Sequence, residues 1–190
     1  MQYRLVPAAM HGAAAALALG ALAMASATLA QVDAGTAAIG PPVDTELESS
    51  LTGRPRRLSE LRTRVMVVFY EDREHIPDNE ETKGLLGRFI ADNHLEQRLA
   101  MLPIANADGF HYAPVDSLVR TGLAEGSRRI GLDIWIDWDR RMHAAPISCV
   151  GGASNVLVID RAGVIQWRHA GLLGDAERTE LFRAVRRSLH

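Results

Sequence analysis

The chain has 190 residues, 47% of them apolar and 23% charged, a balance that supports a folded core and argues against an intrinsically disordered chain. A formal charge of -2 argues against general nucleic-acid binding, which needs a basic face to neutralise phosphates, and no nucleic-acid partner is expected. The single cysteine, Cys149, excludes an intramolecular disulfide, a CxxC pair and a cysteine-rich zinc site.

Arg4 and the apolar run Gly12 to Met24 are followed by Ala25-Ser26-Ala27 and Thr28-Leu29-Ala30, the three-part pattern of a secretory signal over residues 1–30, cleaved after Ala27 or Ala30. The run is about 13 residues, short of the roughly 20 that span a bilayer, so it reads as a cleaved leader with no stable membrane insertion afterwards. No cysteine stands directly after it at a cleavage position, which excludes a lipoprotein. The expected destination is a bacterial periplasm or the exterior. Residues 31–42, small and polar with Pro41-Pro42, read as a linker, leaving 43–190 as one domain.

Within that domain, Arg64 to Tyr70 is a continuous, β-branched apolar run, as expected of a strand buried on both faces. Pro77-Asp78 opens a helix, with Asp78 as N-cap, Glu81 as the other half of a capping box, and Leu85, Leu86, Phe89 and Ile90 on the buried face. Met101 to Asn106 predicts a second strand. Pro114 to Leu123 predicts a second helix, with Val115, Leu118, Val119 and Leu123 on one side and Gly126 beyond its end. Asp133 to Asp137 is a further strand. Val156 to Ile159 and Val164 to Trp167 flank the turn Asp160-Arg161-Ala162-Gly163 as an antiparallel hairpin, and a last helix from about Asp175 buries Leu181, Phe182, Val185 and Leu189. A helical crossover makes the opening strands parallel, so the expected architecture is α/β, one mixed central sheet flanked by helices on both faces.

That order resembles the thioredoxin-like fold, and local motifs agree with it. Leu51-Thr52-Gly53-Arg54-Pro55, Leu58-Ser59-Glu60-Leu61 and Val65 to Phe69 look like the opening of TlpA- and peroxiredoxin-type proteins, and Asn155 to Ile165 looks like their late hairpin. Ile104 to Asp108, Ser117 to Arg120 and Val164 to Trp167 are similar to the periplasmic YtfJ group, which also lacks the redox cysteines. Redox-active members carry CxxC just after the first core strand, where the helix dipole lowers a thiol pKa. The matching segment here, Glu71 to Pro77, holds no sulfur, and the family's cis-proline falls at Ala153 or Ser154.

The resemblance implies fold and compartment and supplies no reaction; from the missing CxxC, the leading expectation is an exported thioredoxin-fold protein without dithiol chemistry and without a cofactor, acting as a binding or accessory module for an envelope protein or peptide. The expected contact surface is Glu71, Asp72, Glu74, His75 and Asp78, together with Ser154 and Asn155 in a loop whose backbone is suited to pairing with an extended peptide. Two rival expectations stand beside it. Cys149 could serve as the nucleophile of a monothiol oxidoreductase, although its apolar neighbours Ile147 and Val150 favour a buried, inert residue. The carboxylates of Glu71, Asp72, Glu74, Asp78, Glu80 and Glu81 could hold a divalent metal with His75, although the last three also suit a first helical turn. Lys83, the only lysine in an arginine-rich chain, reads as a matter of composition.

Overall fold

The computed structural model describes residues 40–190, so the expected leader and most of the expected linker lie outside the described residues. Seven strands form one sheet in the order β2-β1-β5-β4-β3-β6-β7. They are β1 (Glu46–Ser49), β2 (Pro55–Arg57), β3 (Val65–Glu71), β4 (Leu99–Asn106), β5 (Trp135–Asp137), β6 (Asn155–Ile159) and β7 (Ile165–Ala170). The helices are α1 (Leu58–Leu61), α2 (Glu80–Asp92), α3 (Val115–Ile130) and α4 (Asp175–Ser188).

The central strand β3 runs parallel to β4 and antiparallel to β6, as the crossover and hairpin patterns predict. All its residues are buried because both faces are covered. Met66, Val68 and Tyr70 join Leu58 of α1 and the segment holding Met142, Ile147 and Cys149 on one face. Val65, Val67 and Phe69 join Leu86 of α2 and Leu181 and Val185 of α4 on the other. Gly163 closes the β6–β7 hairpin at φ +87°, with the Arg62 guanidinium lying against it where no side chain would fit.

Several elements depart from the sequence reading. The hairpin of β1 and β2 and the single turn α1 were not expected; segments of three or four residues are too short to show a period, and the two strands are held by pairing to β5 and to each other. Asp78 does not cap α2. Asn79 stands before the helix with its side chain turned elsewhere, and Glu81 reaches Arg178 of α4 instead of its own helix end. α3 continues through Gly126, whose missing Cβ keeps clear of Ile134, and ends at Gly131 with φ +70°. Leu118 is exposed on that helix, while Val119 and Leu123 pack on Ile136 and Trp138. β5 begins only at Trp135, since Asp133 turns aside to accept hydrogen bonds from Ser49 Oγ and Ser50 Oγ.

Candidate functional site

The predicted site residues come from the end of β3, the β3–α2 loop and the turn before β6. Successive strand residues point to opposite faces, so Glu71 turns toward α2 while Tyr70 turns toward Cys149. Two separate environments result.

On the α2 side lies a buried polar network. Ser154 Oγ donates to Glu71 Oε1 at 2.8 Å, and Lys83 Nζ donates to Glu71 Oε2 at 2.7 Å. Lys83 also donates to the Ile76 carbonyl at 2.9 Å and to Glu80 Oε1 at 3.2 Å. Asn79 Nδ2 donates to Ser154 Oγ at 2.8 Å and to the Gly171 carbonyl at 3.1 Å, and Asn79 Oδ1 accepts from Leu173 N at 3.0 Å. Burial pushes the Glu71 carboxyl above its ordinary range, with Lys83 and Ser154 opposing the shift. The network ties β3, α2, the turn before β6 and the chain after β7 into one unit. It leaves no lone pair of Glu71 turned to a ligand along the directions used by Lys83 and Ser154.

Three predicted contact residues are therefore internal. Glu71, Ser154 and Asn155 are buried. Asn155 opens β6 opposite Tyr70 and Ala170, and its carboxamide bonds Val150 N, Val150 O and Ala153 O. The Ser154 carbonyl accepts from Gly171 N at 2.7 Å, so this part of the turn is already paired within the chain. The cis peptide bonds among the described residues are Ala113–Pro114 and Ala145–Pro146, not at Ala153 or Ser154.

The rest of the acidic segment remains at the surface. Asp72 Oδ1 accepts from the backbone N–H groups of Glu74 and His75, each at 3.2 Å, and from His75 Nδ1 at 2.5 Å. The Asp72 partner pushes the His75 imidazole above its ordinary pKa. Glu74 and Ile76 are exposed and Asp78 half-buried. Among the described residues no group of three or more His, Cys, Asp or Glu side chains converges to hold a metal ion. Glu71 is buried against Lys83, which withdraws it from the cluster the metal reading required.

On the opposite face, Cys149 is buried beside Tyr70, Met142 and Ile147. Burial pushes its thiol up to about 12, with the Asp137 carboxylate adding to the rise and Arg168 opposing it. Tyr70 meets His143 edge-on at 5.4 Å between ring centres, and neither the Tyr70 hydroxyl nor His143 Nε2 has a hydrogen-bond partner. The thiol is thus neither ionised near neutrality nor presented to solvent, and it does not meet Glu71 or His75.

Asn79 and Lys83 are the residues the sequence reading missed. Asn79 carried no signal beyond its place before a helix. Lys83 did carry one: it is the lone lysine among 21 basic residues.

No family model matches the chain, and no curated protein matches it. Solved structures do. The thioredoxin domain of a thiol-disulfide oxidoreductase from Bacteroides vulgatus superposes with a TM-score of 0.53 at 14% identity, over 80% of this chain and 99% of that one. An uncharacterized thioredoxin-like protein from Porphyromonas gingivalis gives 0.53 at 22% identity, over 82% and 94%. The pneumococcal exposed lipoprotein thioredoxin Etrx1 from Streptococcus pneumoniae gives 0.51 at 13% identity, over 76% and 99%. At these identities the likeness carries the architecture alone, and with the mixed seven-stranded sheet it establishes that this chain has a thioredoxin-like fold.

Proposed function

We propose that this chain is an exported thioredoxin-fold protein of the YtfJ type that binds an envelope protein or peptide and performs no thiol-disulfide exchange. One observation carries the reading. At the end of β3, where redox-active members of the fold place their dithiol, the chain has Glu71 locked to Lys83 and Ser154, and its only sulfur nucleophile is buried on the other face. A raised thiol pKa removes the thiolate that attacks a disulfide.

Export is supported by the leader pattern of residues 1–30 and by the exposed lipoprotein among the structural neighbours. The contact surface is the outer rim of the network, where Glu74, Ile76 and Leu172 are exposed.

The test is an insulin-reduction and glutathione-disulfide assay on the purified chain and its Cys149→Ala variant. Both proteins are expected to give background rates. Turnover that disappears with Cys149→Ala overturns the reading. Cell fractionation with N-terminal sequencing checks export; a chain retained in the cytoplasm with its first thirty residues intact contradicts that part.

A further inference from the structure

We draw no further inference here: the strongest candidate, the exposed apolar side chains Ile76, Phe110, Tyr112, Val150 and Leu172 on the loops at the end of the sheet where β3 and β4 finish and β6 begins, carries nothing beyond the contact surface already proposed, because nothing in the structure shows what covers it.

Discussion

Lys83 and Glu71 meet at the end of β3, with Nζ at 2.7 Å from Oε2 and both side chains largely withdrawn from solvent. The ammonium's three hydrogens find three acceptors, Glu71, the Ile76 carbonyl and Glu80. A planar guanidinium fans its donors in one plane and cannot reproduce that tripod, which gives the single lysine of this chain a physical reason. Lys83→Met leaves the buried Glu71 carboxylate without its cation and is expected to lower stability by about 3 kcal/mol. Lys83→Arg should recover only part of that. The Lys83→Met/Glu71→Leu pair should recover most of it, because no charge is left buried. Urea unfolding of the four proteins measures the coupling, and additive losses would show the pair to be independent.

Asn79 is the other member of the network that reaches across the chain. Its carboxamide serves Ser154, Gly171 and Leu173 at once, and the residue is buried. Asn79→Ala leaves those groups unpaired and is expected to cost about 2 kcal/mol. Asn79→Asp keeps the shape but sets an acceptor against the Gly171 carbonyl, so it should be no better. Hydrogen exchange at Leu173 N–H reports the loss directly; unchanged protection in both variants would contradict the role given to Asn79.

The pH dependence of the β3–α2 loop follows from His75 and Asp72. The Asp72 carboxylate raises His75 above its ordinary value of 6.5. A group whose folded pKa is raised contributes stability that is complete below its unfolded pKa and is lost as pH rises through the folded value. Stability is therefore expected to fall as pH climbs past that ordinary value, and His75→Gln or Asp72→Asn should flatten the slope. Glu71, also raised, acts in the same direction as His75: it binds its proton more tightly when folded, so its own contribution improves as pH falls through the folded value, the reverse of an ion-paired carboxylate whose pKa is lowered. Melting curves across pH and the His75 Cε1 proton titration check both signs. A His75 midpoint at or below the ordinary value would refute the first.

Cys149 is expected to react slowly with a thiol reagent in the folded protein, even at mildly alkaline pH, and at once after unfolding in urea. Its thiol is pushed up to about 12 and packed under Met142 and Ile147. Cys149→Ala removes one buried heavy atom and is expected to cost about 1 kcal/mol. Rapid modification of the native protein at neutral pH would show the thiol to be accessible.

Much of the fold is legible in the chain itself. The apolar run of β3 announces burial on both faces, and the spacing of Leu86 and Phe89, and of Leu181 and Val185, announces the helices that bury one of them. These are local patterns, readable because side-chain direction repeats every two residues in a strand and every 3.6 in a helix. The shorter β1 and β2 escape that reading, since three or four residues are too few to show a period and become strands only through their partners. The missing sulfurs at the end of β3 are equally plain, because composition needs no coordinates.

The contact residues were another matter. Whether Glu71 faces solvent or Lys83, whether Ser154 lends its carbonyl to a peptide or to Gly171, and whether Asn79 caps a helix or bridges to Leu173 depend on partners as many as 94 positions away along the chain. An isolated carboxylate looks the same in a string of letters whether it is a ligand or an internal strut. Sequence alone determined the types of the longer elements, the parallel crossover and the absence of a dithiol, all of which follow from residue identity and short-range spacing. Tertiary packing alone decided which acids stay at the surface and which are spent inside, because burying a charge demands a counter-charge that only folding can bring.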